Sequence, residues 1–388
     1  MCRLVQRRGI IGLFCLLFVA SSVVPGWAQK DNRFEVSKNL DIFNSLLKEV
    51  EMFYVDSVDV DKTVQRGIEA MLAGLDPYTE YYPEQKTEEL SLMTTGEYGG
   101  IGSLIRQRNN EGGVMIAEPT EGMPADLAGL KPGDLILAID TIDVSKATNS
   151  RVSELLKGVP NTKMVLTIQR PGEKKPRKFE ITRKQITTPQ VTYYGVKNDS
   201  IGYIYLKAFT IKSAQEVKEA FLDLKKNHNI KSLVLDLRGN GGGVLEGAVQ
   251  IVGMFVPKGS EVLSTKGKIK QWDRTYRTST EPLDTVMPLA ILINGGTASA
   301  AEIVSGSLQD MDRAVLVGQR SFGKGLVQAP RDLPYNGKVK ITMSKYYIPS
   351  GRCIQQIDYS HRKEDGSVAA IPDSLTSVFY TSKKRPVR

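Results

Sequence analysis

Residues 289–303 have the sequence LAILINGGTASAAEI, in which five apolar residues run through a glycine turn into a helix start. Similar apolar strands occur at 201–206, 233–237 and 314–318, and helical patterns at 213–226, 244–255 and 300–310 alternate with them. Near-continuous apolar strands that alternate with helices are typical of an α/β domain. We therefore predict an α/β domain over residues 185–388, with a sheet covered on both faces.

Residues 95–184 have a different pattern. Short strands at 114–117 and 134–139 are followed by a helix at 149–157 and a strand at 164–170, with turn residues at each boundary. The segment contains a glycine loop, GGIG at 99–102, and the run ADLAGLKPGDLILAID at 125–140. This arrangement resembles a PDZ domain, an α+β fold.

Residues 29–94 show apolar positions at near-helical spacing, and a second amphipathic run ends at Asp76-Pro77, where the proline stops a helix. The spacing predicts a helical N-terminal region, in which no candidate for chemistry is evident.

The first 28 residues have the pattern of a signal peptide. Three arginines precede an apolar run at 10–24, and Gly26 and Ala28 occupy the small-residue positions of a cleavage site. The alternative is a permanent anchor, but the run is shorter than the roughly 20 residues of a membrane span. We expect export, and no stable membrane span after the signal is removed.

Composition limits the remaining functions. The formal charge of +9 falls to +6 without the leader arginines, and no basic stretch is interleaved with aromatic residues, so nucleic-acid binding is disfavoured. After the leader only Cys353 remains, and the chain has only two histidines. No metal site and no cofactor are therefore expected.

Ser299 is a candidate nucleophile. It follows a buried strand where a helix begins, so backbone N–H groups there could stabilise a developing oxyanion. A helix-capping serine has the same local sequence, and this alternative stays open on local grounds.

A serine nucleophile needs a base. His228 lies at a polar helix end and His361 in a charged stretch, and the G-x-S-x-G pattern is missing at Ser299, which disfavours a Ser-His-Asp triad. Lys324 is the alternative, because its glycine-flanked, otherwise uncharged setting in SFGKG suits a lysine whose pKa is lowered by burial. A lysine on a surface loop would have the same sequence.

Two glycine-rich segments have competing interpretations. Residues 318–324 match the first seven positions of a phosphate-binding loop, but Gly325 replaces the required Ser or Thr and an extended segment follows. The loop RGNGGG at 238–243 lacks the last glycine of the dinucleotide pattern, and it could bring amides near a substrate carbonyl or simply form a tight turn.

Taken together, the segments LDLRGNGGG, INGGTASAAEI, GQRSFGKGLVQ and KYYIPSGRCIQ resemble the C-terminal processing peptidases, or tail-specific proteases, of serine peptidase family S41. The resemblance implies a ClpP/crotonase-like α/β spiral with an inserted PDZ domain. It implies that Ser299 is the nucleophile and Lys324 the general base, with Gln328 orienting the lysine. The backbone N–H groups of Gly242 and Ala300 would form the oxyanion hole.

The same resemblance implies the partners. The PDZ groove would bind the C-terminus of a protein substrate by strand addition, and its loop would capture the terminal carboxylate. The matching residues are Gly99, Gly100, Ile101 and Gly102, with Ile101 and Leu104 lining a pocket for an apolar last side chain. The helical N-terminal region is similar to a dimerisation element in some relatives, so a homodimer is also expected. If the source is a two-membrane bacterium, the exported protein is expected in the periplasm.

Two other functions compete with a protease. A non-catalytic PDZ adaptor would lack the nucleophile or the base, and both are present. A crotonase-like enzyme acting on acyl-thioesters would require neither Ser299 and Lys324 at this spacing nor a PDZ insertion.

Overall fold

The computed structural model describes residues 32–108, 112–359, 361–363, 367–372 and 376–387. The predicted signal peptide, residues 1–28, lies outside the described residues. The chain divides into two compact units, one up to Ile68 and one from Glu69 onward.

The described part of the first unit is helical. Helix α1 spans Arg33–Phe53, and none of its residues is buried. Helix α2 spans Val60–Ala73, and its first turn is capped by Asp59, whose carboxylate accepts the Lys62 N–H at 3.1 Å. The helical pattern predicted for this part of the chain is confirmed.

Helix α2 is followed by a turn rather than by a further long helix. Asp76 accepts the N–H groups of Tyr78 and Thr79, each at 2.8 Å, and strand β1 (Glu80–Tyr82) follows. Strand β1 pairs antiparallel with residues 338–340, and only then does helix α3 (Thr87–Thr95) form. The predicted end of the helix at Asp76-Pro77 agrees with this turn. Strand β1 was not predicted within the helical N-terminal region, because pairing with a distant strand decides the conformation of residues 80–82.

The PDZ-like segment forms a six-stranded antiparallel sheet around its own core. Its elements are β3 (Ser103–Gln107), β4 (Val114–Pro119), α4 (Pro124–Leu127), β5 (Leu135–Ile139), β6 (Ile142–Asp143), α5 (Asn149–Leu156), β7 (Lys163–Gln169) and β8 (Arg177–Thr182). The predicted strands and helix of this segment agree with these bounds to within two residues.

A two-stranded ribbon connects this domain to the rest of the chain. Strand β2 (Glu97–Gly100) enters the domain and pairs antiparallel with strand β9 (Lys184–Thr187), which leaves it. The chain thus enters and leaves the domain through two neighbouring strands, so the domain is an insertion, as predicted from the sequence.

The α/β core contains a five-stranded sheet in the order β10-β11-β12-β15-β16. Its first pair is antiparallel and the other three pairs are parallel. Its elements are β10 (Val191–Lys197), β11 (Ile201–Leu206), α6 (Ser213–Asn227), β12 (Ser232–Asp236), α7 (Leu245–Gly253), β15 (Leu289–Ile293), α8 (Ala300–Asp310) and β16 (Val315–Gly318).

Burial alternates along these strands. Ile204, Leu235 and Ile291 have no exposed surface and pack with the helices, whereas Val315 and Val317 are largely exposed. The prediction of a sheet covered on both faces was wrong, because apolar residues on the second face made the strands look continuously buried.

A second sheet completes the core, in the order β1-β18-β13-β14 with β17 also paired to β18. Its strands are β13 (Glu261–Gly267), β14 (Arg274–Arg277), β17 (Leu326–Asp332) and β18 (Lys338–Tyr347), and a small hairpin of β19 (Phe379–Tyr380) and β20 (Pro386–Val387) lies near the C-terminus. Because residues 326–332 form a strand, the segment after Lys324 has the extended conformation that the sequence predicted. Among the residues described, no helix has the length and apolar character needed to span a membrane.

Candidate active site

Ser299 lies at the start of helix α8, directly after strand β15 and a tight turn. Its backbone has φ +56° and ψ −117°, a conformation that a residue with a side chain rarely adopts. Residues held in such conformations cluster at functional sites, because the surrounding structure must compensate the strain. Ser299 is thus both the N-cap residue of the helix and a candidate nucleophile, so the two interpretations of the sequence are compatible.

The buried carboxylate of Glu302 supports this conformation. Its oxygens accept the N–H groups of Ser299 at 2.8 Å, Gly323 at 2.7 Å and Lys324 at 2.9 Å. Burial raises the pKa of Glu302, and these hydrogen bonds oppose that rise by stabilising the charged form. One side chain therefore fixes the backbone of both the candidate nucleophile and the candidate base.

The side chain of Tyr346, on strand β18, donates to the backbone of the same two residues. Its hydroxyl lies 2.6 Å from the carbonyl oxygen of Lys324 and 3.2 Å from that of Ser299, and its side chain is almost completely buried. Two side chains from different elements thus connect residues that are 25 positions apart in the sequence.

The side chain of Lys324 lies in a partly buried, weakly polar setting. Burial, together with the nearby Lys340 ammonium, lowers the pKa of Lys324 to about 8, although the carboxylates of Asp76, Glu80 and Glu302 oppose the shift. Its Nζ lies 4.2 Å from the centroid of the Tyr78 ring and makes no hydrogen bond with any residue that the structure describes. An amine in this state is neutral in a substantial fraction of molecules near pH 8, as a general base requires.

Gln328 lies on strand β17, four residues after Lys324. Its side-chain amide donates to the hydroxyl of Thr342 at 3.2 Å, and Thr342 in turn contacts Thr79. The hydrogen bond that Gln328 makes is thus directed to the paired strand β18 and not to Lys324.

The glycine loop lies against the start of helix α8. A Cβ atom built on Gly242 would be 2.7 Å from the Cβ of Ser299 and 2.9 Å from the Ala300 nitrogen, so only glycine fits there. The Gly242 N–H donates to the side chain of Asn240 at 2.9 Å, whereas the Ala300 N–H has no acceptor among the described residues. The two candidate oxyanion donors are adjacent, and in this conformation one of them is occupied.

Neither histidine lies at this site. The side chain of His228 is 51% exposed near Asp223, and that of His361 is 86% exposed beside Asp358. Lys324, whose backbone shares Glu302 and Tyr346 with that of Ser299, therefore remains the candidate base.

The predicted tail-binding residues lie at the entry of the PDZ-like domain. The N–H groups of Ile101 and Gly102 donate to no described group, while their carbonyl oxygens accept from Ala125 and Thr120. The Ile101 side chain is only 3% exposed and packs in the domain core, whereas Leu104 is 57% exposed on the edge strand β3. The loop thus presents free amides, and Leu104 rather than Ile101 presents an accessible apolar side chain.

Comparisons with known proteins show the family to which the chain belongs. A family model for peptidase family S41 matches residues 200–360, and a PDZ domain model matches residues 115–170. A carboxy-terminal-processing protease from Bartonella bacilliformis is 36% identical over 356 residues, which cover 90% of this chain and 81% of the relative. The chain belongs to the carboxy-terminal-processing protease family. It has the S41 peptidase fold with a PDZ domain, as predicted from the sequence.

Other relatives of this protease extend the comparison. A probable CtpA-like serine protease from Staphylococcus aureus is 33% identical over 320 residues, which cover 81% of this chain but only 62% of the relative. The solved photosystem II D1 C-terminal processing protease is 29% identical with a TM-score of 0.44, covering 79% of this chain and 82% of that structure. This chain thus spans less than two thirds of the staphylococcal relatives.

Three side chains of this protease's candidate site, Glu302, Tyr346 and Tyr78, were not predicted from the sequence. Glu302 had a usable signal, since S-A-A-E at 299–302 fits the capping-box pattern in which the glutamate binds back to the cap residue. Tyr346 and Tyr78 had no comparable signal, because only the pairing of strands β17 and β18 and the turn at Asp76 bring them to Lys324.

Proposed function

We propose that the chain is an exported serine endopeptidase that uses Ser299 as nucleophile and Lys324 as general base. The observation that carries this proposal is the shared anchoring of the two residues. Glu302 and Tyr346 bind the backbone of both, in a pocket that lowers the pKa of Lys324 to about 8. A helix-capping serine and a lysine on a surface loop would not need this shared anchoring.

The chemical steps follow from the side chains present. Neutral Lys324 removes the proton of the Ser299 hydroxyl, and the serine oxygen attacks the scissile carbonyl carbon. The Ala300 N–H is available for the oxyanion, and the Gly242 N–H joins it when the substrate oxygen displaces the Asn240 side chain. Lys324 then returns its proton to the leaving amine, and water hydrolyses the acyl-enzyme with Lys324 again as base. Gln328, four residues along the chain from Lys324, is proposed to orient the lysine.

We propose that the PDZ domain selects substrates by their C-terminal tail. Strand β3 is an edge strand, so an extended peptide can add to it, and the free N–H groups of Ile101 and Gly102 can bind the terminal carboxylate. The exposed Leu104 beside them favours an apolar last residue. Protein substrates with apolar C-termini are therefore the expected class.

A homodimer is part of the same proposal. Helix α1 exposes Val36 (56%), Leu40 (62%) and Phe43 (48%), which lie on one face at helical spacing, and an exposed apolar helix face favours pairing with a second copy. Sedimentation equilibrium of the chain and of a Leu40→Glu/Phe43→Glu variant tests this, since a dimer held by this face of helix α1 dissociates in the variant.

One cleavage experiment tests the proposed activity. An unfolded polypeptide with an apolar C-terminus is incubated with the chain, with Ser299→Ala and with Lys324→Ala. Both variants should lose cleavage by at least about a thousandfold, whereas equal cleavage by either variant would rule out the dyad. A chain that binds the tail without cutting it would instead support a PDZ adaptor.

Cell fractionation tests export. Enrichment of the chain in the periplasmic or membrane fraction, compared with a variant lacking residues 1–28, is the expected result.

A further inference from the structure

We propose that Tyr78 is a positioning residue for the Lys324 base, holding its amine against the face of an aromatic ring and keeping water away from it. The inference rests on the proposed role of Lys324. It assigns a function to the turn before strand β1, in a region of the sequence where no chemistry was evident.

The contact itself is the first observation. The Nζ atom of Lys324 lies 4.2 Å from the centroid of the Tyr78 ring, within the range of a cation–π interaction. Since Nζ has no hydrogen bond with the residues that the structure describes, this ring is the direct partner of the amine. The ring covers the amine without competing for its lone pair.

The rigid placement of Tyr78 is the second observation. The Asp76 carboxylate accepts the N–H groups of Tyr78 and Thr79 and also the Thr79 hydroxyl, at 2.8, 2.8 and 2.9 Å. The Thr79 hydroxyl in turn accepts the N–H of Thr342 on strand β18 at 3.2 Å, and both Asp76 and Thr79 are buried. The turn is therefore fixed to the same strand that carries Tyr346.

Tyr359 supports the ring from the other side. Its ring meets that of Tyr78 edge-on, with centroids 5.9 Å apart and an interplanar angle of 90°, and the two hydroxyl groups are 3.3 Å apart. This edge-on geometry is a favourable one for aromatic pairs. The ring of Tyr78 is held by its turn on one side and by Tyr359 on the other.

An aromatic face suits a lysine base better than a carboxylate would. A carboxylate in contact with Nζ would hold the amine as an ammonium ion, whereas a ring attracts the cation only weakly and offers no strong acceptor. The charged and titratable groups around this amine are Asp76, Glu80, Glu302, Lys340, Tyr346 and Tyr359. Of these, Glu80 is itself engaged by Lys340 and Tyr82, which limits its pull on the base.

Loss of the ring has a definite expected sign. Water would fill the space beside Nζ, and because water solvates an ammonium ion better than a ring does, the pKa of Lys324 should rise toward the ordinary value of lysine. A smaller fraction of the amine is then neutral at a given pH. Activity at neutral pH should fall, and the acid limb of the pH profile should move to higher pH.

Three variants of the full chain separate the role of the ring from that of its hydroxyl. Tyr78→Leu removes the ring, Tyr78→Phe keeps it without the hydroxyl, and Tyr359→Phe removes the same hydroxyl contact from the partner ring. The profile of kcat/KM against pH is measured for each with a peptide ester or an unfolded protein substrate.

We expect the acid limb of Tyr78→Leu to move up by about one pH unit, with kcat about tenfold lower at pH 7.5 and KM little changed. Tyr78→Phe and Tyr359→Phe should both keep the acid limb at the same pH as in the parent chain. An unmoved limb in Tyr78→Leu, whatever its rate, overturns the proposal, as does an equal shift in Tyr78→Phe. If Tyr78→Leu does not fold, Tyr78→Trp and Tyr78→His are compared instead. The proposal requires the tryptophan variant to keep the acid limb of the parent chain. It requires the histidine variant, whose ring is ionisable, to move that limb.

A wrong assignment of Lys324 as the base would give a different experimental result. If Lys324→Ala cleaves as fast as the parent chain, the base is wrongly assigned. If Lys324→Ala is inactive and Tyr78→Leu keeps its limb, only the role of Tyr78 fails.

Discussion

The carboxylate of Glu302 accepts the N–H of Lys324 at 2.9 Å while it also accepts the N–H of Ser299 at 2.8 Å. The helix that begins at the candidate nucleophile, Ser299, thus supplies the group that fixes the loop of the candidate base, Lys324. The site is a single hydrogen-bonded unit, and the predictions below follow from it and from the surrounding glycine and PDZ loops.

Replacing Glu302 by glutamine should impair the site with little loss of volume. The amide has only one accepting oxygen, so at least one of the three N–H donors is left without a partner, at a cost of about 1–3 kcal/mol. We expect a lower midpoint of thermal unfolding and a fall in kcat of tenfold or more, measured by calorimetry and by peptide cleavage. Glu281→Gln, at a side chain that is 80% exposed, serves as the control and should change neither quantity.

Replacing Lys324 by methionine should stabilise the chain while abolishing cleavage. The pKa of Lys324 is about 8 in the folded chain, below its ordinary value, so the unfolded chain binds more protons between these two values. The folded chain therefore gains stability as pH rises from about 8 toward 10.5, and below pH 8 the buried charge is destabilising. The methionine variant should be more stable at pH 7 by on the order of 1 kcal/mol, an advantage that should shrink above pH 10. Equal stability of the two chains at pH 7 in chemical denaturation would contradict the lowered pKa.

Replacing Gly242 by alanine should disrupt the oxyanion loop. The residue has φ +94°, and its added Cβ would lie 2.7 Å from the Ala298 carbonyl oxygen and from the Ser299 Cβ. We expect a loss of kcat of about 10²–10³-fold, the range for losing one oxyanion donor. The neighbouring Gly241 is the matched control, because nothing lies within 4 Å of its added Cβ and its φ is not positive. Similar kinetics for the two variants would argue against an oxyanion role for this loop.

Tail binding by the PDZ domain should depend on the terminal carboxylate. With Ser299→Ala as the host, a labelled peptide ending in an apolar residue should bind at least tenfold more tightly than the same peptide with a C-terminal amide. Gly102→Ala should weaken only the binding of the free carboxylate, because its Cβ would lie 2.5 Å from that of Met123 and displace the loop. Fluorescence anisotropy provides the measurement, and equal affinity for acid and amide would refute capture by this loop.

Much of the fold could be predicted from local pattern. The strands at 201–206 and 289–293 and the helix at 300–310 have the predicted bounds, because apolar periodicity, glycine turns and cap residues act over a few neighbouring residues. The coverage of the sheet could not be predicted in this way. Val315 and Val317 have the same local pattern as buried strand residues, and only the packing of the helices shows that their face is left open.

The sequence by itself determined the chemical inventory of this protein. It placed a serine at a helix start, a lysine between glycines 25 residues later, and only two histidines in charged or polar surroundings. Those facts kept Ser299 and Lys324 as candidates, and the resemblance of the motifs around them to family S41 implied the family and the dyad. They did so because residue type and short-range spacing are written directly in the chain.

Tertiary structure alone decided what surrounds the dyad. Tyr78 and Tyr346 are 246 and 22 residues from Lys324 in sequence, and strand pairing brings both to it. The Gly242 amide is bound by Asn240, and Ile101 is buried in its domain, although both were expected to face a ligand. The direction of a hydrogen bond and the burial of a side chain depend on contacts between distant segments, and no local pattern encodes these.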